Sequence, residues 1–555
     1  MRTLPSLPDS RELRKARGAF FTPPELCAYL ADWAIRDRRD QILEPSCGEA
    51  AFLLAAGERL RGLGARPGGL HGTELHEASA SGARRALSHA GHTAGIEVGD
   101  FFVSTPNPRF DAVIGNPPYV RYQGFSGESR ALSRAAALRA GVRLTALASS
   151  WAAFTVHAAL FLKPQGRLGL VLPAELLSVN YAAEVRSFLM RRFARVRLVL
   201  FTDRVFPGVQ EEVVLLMAEG EGPTAHCELH QVRDIEELVT STEVVSSWTP
   251  VEPEGKWTDA LVPPAARDIY RRVEEEESFG RLLDWGETTL GAVTGNNRYF
   301  AMNPERVFEL GLEATDLVAI SPTGSRHLRH RLDLTEADWL QLGETGSPTW
   351  LLRPPAEPSP AALQYLEEGE RERVHLAYKC RMRDPWWRTP LVPAPDLFVT
   401  YMNSDTPRLI ANSARVQHVN SVHGLYLRAG LKKLGRSLLP LASLNSMTLL
   451  GAETVGRAYG GGLLKLEPKE ADLLPVPSPA LAVEIETALS ALRPAVIDAL
   501  RRNRLLDAVD AVDQVVLLDG LGLGRAEVKV LRDARDSLAG RRAARGRSTN
   551  GSSRR

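Results

Sequence analysis

The chain has 555 residues and 44% hydrophobic content, more than one ordinary domain holds and enough for substantial cores. Its formal charge is only +1 and its four cysteines, Cys27, Cys47, Cys227 and Cys380, are scattered, which excludes a uniformly basic nucleic-acid binder, a disulfide framework and a zinc-ligand spacing. No run approaches the ~18 apolar residues of a membrane span and residues 1–18 hold no apolar signal core, so a cytoplasmic protein with no membrane partner is expected.

Residues 41–60, QILEPSCGEAAFLLAAGERL, hold a short apolar strand, a turn with Glu44, Cys47 and Gly48, and a helical pattern from about Ala50. Such a strand-turn-helix unit brings the backbone close to a nucleotide-like ligand where side chains would obstruct it. The next strand, GGLHGTEL, ends in Glu74, about the spacing at which a carboxylate after a second strand meets ribose hydroxyls. A third, GIEVGDFF, ends in Asp100 and Phe101, an acceptor and a ring suited to an adenine. An acidic residue after a strand also serves as a helix cap or a loop charge. Several such residues in order, each at a strand's C-terminal edge, are harder to explain that way.

The fourth strand, DAVIG, runs into Asn116, Pro117, Pro118 and Tyr119. An aromatic exocyclic amine is a poor nucleophile because its lone pair is delocalised into the ring. The Asn side-chain oxygen and the Pro117 carbonyl are two acceptors that can take both amino hydrogens, favouring a pyramidal nitrogen as the transition state forms. Two prolines hold the turn, and Tyr119 is left to lie against the face of a base. Asn and Pro also form plain strand terminators, but the three strand ends upstream favour the chemical reading.

These segments resemble the gamma-class adenine-N6 DNA methyltransferases of the TaqI-like type. The resemblance begins at GAFFTPPELCAYLADWAI (18–35), runs through EPSCGEAAF, GTEL, GDFF and NPPY, and continues in LFLKPQGRLGLVLPAELL (160–177) and RLVLFTDRVFPGVQEEVVLLMAE (197–219). It implies an α/β fold: a Rossmann-like S-adenosylmethionine-dependent methyltransferase domain over 1–250, then an α+β DNA-recognition domain over 251–479. A C-terminal helical segment over 480–540 and a disordered basic tail over 541–555 follow.

By the same resemblance Phe21 and Thr22 belong to the cofactor segment. Glu44 and Gly48 border the methionine part of S-adenosylmethionine, Glu74 meets the ribose, Asp100 with Phe101 meets the adenine, and Cys47 and Asn116 also belong to the cofactor site. Asn116, Pro117, Tyr119 and Phe206 act on the target, with Phe206 on the face of the flipped base opposite Tyr119. Adenine rather than cytosine-N4 follows from Asn116, because the cytosine-N4 enzymes more often carry Ser there. Ala50 departs from the pattern: many relatives have a second Gly, and a Cβ disfavours positive φ.

The implied partner is double-stranded DNA, with a cognate restriction endonuclease as a separate chain left open; the bipartite layout is compatible with a monomer. No nucleophile is required, since in-line displacement from an activated sulfonium needs positioning above all, and no metal is expected. Cys47 lacks the preceding Pro of a cytosine-C5 nucleophile.

The six arginines of the tail leave the body acidic, so basic residues must concentrate on one face; Arg191, Arg192, Arg195 and Arg197 are candidates, against an ordinary solvated face. The Pro- and Glu-rich stretch 251–268 reads as the domain connection. LGAVTGNNRYFAMNPE (290–305) resembles the start of a TaqI-like specificity domain, and 456–477 a late part of it, where Gly460 to Gly462 permit a tight turn near phosphates. Between them, Asn412, Gln417, His418, Asn420 and His423 are candidates for a DNA-facing loop, while Trp386 and Trp387 also suit a core.

Two alternatives are open: the NPPY motif also occurs in enzymes acting on RNA bases or protein glutamine, and a bifunctional restriction-modification enzyme would need a nuclease. The methyltransferase pattern starts by residue 18, leaving no room for an N-terminal nuclease. The Glu-x-Lys spacings at Glu254/Lys256 and Glu527/Lys529 fall in the connection and in a helix.

Overall fold

The computed structural model describes residues 22–547 except 67, 121–123, 125–126, 204, 207–211, 241–244 and 460. The chain divides into two compact units, Met1–Leu261 and Val262–Arg555.

The first unit is built on nine strands: β1 (Ile42–Glu44), β2 (Leu70–Glu74), β3 (Ala94–Val98), β4 (Phe110–Gly115), β5 (Leu162–Pro173), β6 (Phe193–Phe201), β7 (Val213–Glu221), β8 (Cys227–Val232) and β9 (Ser246–Trp248). They stand in the order 3-2-1-4-5-7-6-8-9. Strands β1 to β5 are mutually parallel, and β7 runs antiparallel between β5 and β6. The order reverses between β1 and β4, and ligands of open α/β sheets bind at the carboxyl edge of such a switch point.

Helices α1 (Pro24–Ala34), α2 (Ala51–Gly62), α3 (Glu77–His89) and α4 (Ser150–Ala159) cover the sheet. A proline in its first turn starts α1, whose Leu26, Cys27, Leu30, Ala31 and Ala34 form one buried stripe. Alternation along β4 explains its unbroken apolar run. Ala112 and Ile114 join the cluster that holds Leu30 and Phe52, whereas Val113 joins the one that holds Trp151 and Leu170. All ten residues of α4 are buried.

The supposed domain connection is partly structural. Trp257 is fully buried, donates its backbone N–H to the Leu177 carbonyl at 2.7 Å and meets Trp248 edge-on at 5.8 Å, so the first unit runs on to Leu261 rather than 250. The candidate basic cluster is also accounted for locally. Arg195 pairs with Glu219 (3.0 Å) and Glu228 (2.7 Å), Arg197 with Glu228 (2.7 Å) and Arg192 with Glu221 (3.8 Å). The Arg195 and Arg197 pairs link neighbouring strands and Arg192 reaches its partner from the preceding helix, so three of the four candidates are engaged within the unit, while Arg191 bonds the Ser187 hydroxyl.

The second unit carries a four-stranded antiparallel sheet of β10 (Gly286–Leu290), β11 (Leu397–Thr400), β12 (Leu409–Ala411) and β13 (Val422–Leu427), in the order 10-13-11-12. Smaller sheets and a set of helices surround it. The last helix, Arg525–Arg547, continues seven residues into the stretch read as a disordered tail. Its Arg542 is buried and grips Glu453 with two hydrogen bonds, 2.7 and 2.9 Å, with both side chains 4% exposed. The same guanidinium donates to the Gly462 carbonyl, and a Cβ on Gly462 would lie 3.0 Å from the Ala543 backbone. The glycine turn is therefore covered by this helix rather than open to phosphate; Gly460 lies outside the described residues. No helix among the described residues is long and apolar enough to cross a membrane.

Candidate active site

Because β1 to β4 are parallel and adjacent, their C-terminal ends share one edge. Asp100, Glu74, Glu44 and Asn116 stand along it in the sheet order β3, β2, β1, β4. At about 4.8 Å per strand the row spans about 14 Å, the scale of an extended nucleoside joined to an amino acid.

The turn after β1 is shaped by its backbone. Gly48 has φ +48° and donates its N–H to Glu74 Oε2 at 2.9 Å, while the His76 N–H takes Glu74 Oε1 at 3.0 Å. Glu74 is thus pinned by two main-chain donors and keeps lone pairs for hydroxyls. Ala50 does adopt positive φ, +66°, as the residue before α2. The turn enforces what its Cβ disfavours: the Ala50 N–H bonds the Cys47 carbonyl at 2.6 Å and its carbonyl receives the Leu54 N–H at 2.8 Å. Cys47 is buried, and burial pushes its thiol up; it contributes backbone to the turn, and its sulfur would lie 3.1 Å from a Cβ on Gly72.

Glu44 is 3% exposed and accepts the Leu53 N–H at 3.1 Å, with no cation paired to it among the described residues. Burial holds its carboxyl well above the usual range, against the lowering effect of that N–H. An ammonium group is the partner this carboxylate lacks, so the site fits an amino-acid moiety.

Asp100 caps a short 3-10 turn, accepting the Phe102 N–H at 2.9 Å. Phe101 is 3% exposed, stacks on Phe154 at 5.6 Å and meets His157 edge-on at 4.8 Å, so its ring is fixed by the core. His157, missed in the sequence because nothing marks a histidine mid-helix, lies 3.2 Å from the Phe101 carbonyl through Nε2. Burial, helped by Arg139, lowers its pKa to about 4, so the ring is neutral at ordinary pH and holds this turn as a donor.

Asn116 follows β4. Its Nδ2 donates to Thr22 Oγ1 at 3.1 Å, which fixes the amide, and its Oδ1 is buried without a donor. A buried acceptor left open is costly unless a ligand fills it. Phe21 lies outside the described residues. Among these the Pro117 carbonyl accepts no hydrogen bond, whereas the Pro118 carbonyl is taken by the Ser150 hydroxyl. Tyr119 is half-buried with its hydroxyl on the Val171 carbonyl at 2.9 Å, and it packs against the cluster that contains Phe206, itself 2% exposed.

Ser150 is the second residue that spacing did not reveal. Its hydroxyl donates to Pro118 O and accepts the Val120 N–H at 3.0 Å, and its own N–H bonds Val120 O at 3.0 Å. The start of α4 thereby clamps the Asn-Pro-Pro-Tyr turn. Ser150→Ala should lower kcat about tenfold with KM for the methyl donor unchanged, and Ser150→Thr should restore most of it. Steady-state kinetics check this; a change in KM alone would refute the positioning role.

A groove of about 1460 Å³ among α1, α2 and α3 shares Thr22 and Glu49 with this region. Glu44, Glu74, Asp100 and Asn116 do not line it.

In the second unit the DNA-facing candidates are mostly interior. Asn412 is 3% exposed, with Nδ2 on the Pro395 and Val416 carbonyls, and His418 and His423 are 1% and 0% exposed. His423 Nε2 sits 2.8 Å from the Leu466 carbonyl. Asn420 pairs with Asn297 at 3.3 Å. Gln417 has a buried, open Oε1. Trp386 and Trp387 pack on the aromatic cluster around Phe300.

A parallel sheet with an inserted antiparallel β7, and an Asn-Pro-Pro-Tyr turn at its switch point, define a methyltransferase acting on amino nitrogen. The comparisons narrow the class. A family model described as N-6 DNA Methylase matches residues 9–234, and one described as the C-terminal domain of the type II methyltransferase M.Eco57I matches 254–517. The type II methyltransferase M.XamI of Xanthomonas campestris pv. amaranthicola is 27% identical over 481 residues, 83% of this chain and 85% of the relative. M.AccI of Acinetobacter calcoaceticus is 20% identical over 471 residues, with the same coverage. The type IIL restriction-modification enzyme MmeI, solved in complex with DNA, has a similar fold: TM-score 0.55 at 12% identity, over 93% of this chain and 75% of that one. Residues 9–234 thus match the N-6 DNA methylase model, and the chain is a site-specific adenine DNA methyltransferase of the restriction-modification kind.

Proposed function

We propose that this chain uses S-adenosylmethionine to methylate N6 of an adenine rotated out of double-stranded DNA. Residues 1–261 carry the chemistry, 262–479 the recognition of sequence and 480–547 a helical support, and a separate endonuclease is the natural companion. The observation that carries this reading is the row Asp100, Glu74, Glu44, Asn116 ending at an open, buried acceptor. Bound S-adenosylmethionine supplies a methyl sulfonium already activated for in-line displacement. Glu44 holds the ammonium, with the Cys47–Gly48 turn beside it; Glu74 takes the ribose hydroxyls and Asp100 the adenine amine. Thr22 orients Asn116, and Phe21 belongs to the same segment. Asn116 Oδ1 and the Pro117 carbonyl accept the two hydrogens of the target amine, turning its lone pair out of conjugation. Tyr119 and Phe206 hold the extruded base. The amine nitrogen takes the methyl group as the sulfur–carbon bond breaks to leave a thioether, and the proton it then sheds, made acidic by the new bond, passes to solvent water.

Incubation with labelled methyl donor and duplex DNA, followed by nucleoside analysis, tests the reading. N6-methyladenine is expected; label in RNA or glutamine and none in DNA would overturn it.

Donor affinity should depend on pH through Glu44. Its raised pKa means that the free protein carries a protonated carboxyl below that value, and binding an ammonium requires the ionised form. Binding therefore releases a proton, and affinity weakens as pH falls through the raised pKa and levels off above it. Calorimetry in buffers of different ionisation enthalpy measures the proton; Glu44→Gln should weaken binding and abolish its release.

A further inference from the structure

Residues 373–388 hold five cations, Arg373, Lys379, Arg381, Arg383 and Arg388, against one acid, Asp384, in a chain whose total charge is +1. The segment is anchored from beneath. Cys380 is buried with its thiol toward the Thr294 carbonyl, Arg383 bonds Thr294 O at 2.9 Å, and Trp386 Nε1 bonds Glu370 at 3.0 Å. Its outer side differs. Arg373, Lys379, Arg381 and Arg388 are exposed, and none is paired with a carboxylate among the described residues. Between them stand Tyr378, 63% exposed, and Met382, 70% exposed, and the Lys379 ammonium lies 5.7 Å from the Tyr378 ring. Arg195 and Arg197 in the first unit, by contrast, are paired with carboxylates.

A rigid ridge of unpaired cations flanking an exposed aromatic and a thioether retains charge that folding has not used. The helix just before it, with its C-cap, carries Glu367, Glu368, Glu370 and Glu372, of which Glu370 is held by Trp386, so the positive excess lies within 373–388 itself. Phosphates at regular spacing are the chemistry that matches, and the apolar pair between them suits the sugar and groove wall of a duplex. We infer that Arg373, Lys379, Arg381 and Arg388 bind the phosphate backbone of the DNA duplex that the methyltransferase modifies, with Tyr378 and Met382 contacting the groove between them. This rests on the proposed DNA substrate.

The test compares the full-length protein with R373Q/K379Q/R381Q/R388Q, titrated onto a labelled duplex over a salt series. The slope of log affinity against log salt should become shallower by about 3 to 4, and affinity near 0.1 M salt should fall at least about 100-fold. Tyr378→Ala with Met382→Ala should keep the slope and lose about tenfold in affinity. Donor binding and the unfolding midpoint, read in the same preparations, should match wild type. A quadruple variant with the wild-type slope and affinity would overturn the ridge, including the case in which it serves another macromolecule. Wild-type protein that methylates DNA while the ridge fails retains the proposed function; wild-type protein that neither binds nor methylates DNA removes both.

Discussion

Asn116→Ala lowers kcat for methyl transfer by about 10³-fold or more while the donor's Kd changes by no more than about threefold. The expectation follows from the division of labour within one amide. Nδ2 is spent on Thr22 Oγ1, and Oδ1 is buried with no donor, so the oxygen contributes when an amine arrives. Its removal therefore acts on the reacting nitrogen rather than on the donor. Asn116→Asp keeps an oxygen at the open position, and the Thr22 hydroxyl can rotate to donate to the other oxygen. That variant should retain more activity than the alanine one, although its charge costs desolvation. Single-turnover rates and donor binding measured on the same preparations check both statements. Equal loss in the two variants would contradict the role of Oδ1 as the acceptor for the target amine.

Glu453→Ala, or removal of residues 541–555, destabilises the second unit by about 3–5 kcal/mol. Arg542 and Glu453 are each 4% exposed and bound by two hydrogen bonds, so deleting either partner strands a charge in the interior. The truncation also strips the cover from Gly462. Replacing both residues by apolar ones of similar volume, Glu453→Met with Arg542→Leu, should recover most of the loss, because the penalty comes from the unpaired charge. Thermal unfolding should show the midpoint of the second unit lowered by several degrees in the single variant. An unchanged midpoint after truncation would show that residues 541–547 contribute nothing to the fold.

The two regions differed in how far their sequences could be read. In the first unit every strand end that bears a polar side chain is a local event: an apolar run stops, and Glu44, Glu74, Asp100 or Asn116 follows. Parallel pairing then brings these ends together without further information. Contacts between distant segments were not legible. Thr22 meets Asn116 across 94 residues, and Ser150 reaches the proline turn across 32. A hydroxyl that anchors a turn looks in sequence like any helix-start serine. Phe101 shows a related limit: a ring after an acceptor suits a ligand, and only the structure shows that it also packs on Phe154 and His157.

The second unit was less legible because composition does not separate a base-reading amide from a satisfied one. Asn412 looked like a DNA contact and instead closes a buried turn, while His418 and His423 are interior. Residues 541–547 show the same limit: arginines in a polar run read as disordered until Glu453 is seen to meet one of them, while 548–555 lie outside the described residues. Ala50 shows the opposite limit, since a turn fixed by its surroundings can impose positive φ on a residue that disfavours it.

The most direct test is to express the full chain and its Asn116→Ala variant in a methylation-free bacterial host and sequence the genomic DNA with base-modification detection. N6-methyladenine at one recurrent motif, present with the wild type and absent with the variant, is the predicted result. A folded, donor-binding wild-type protein that leaves the DNA unmodified, or that marks cytosine instead, would contradict it.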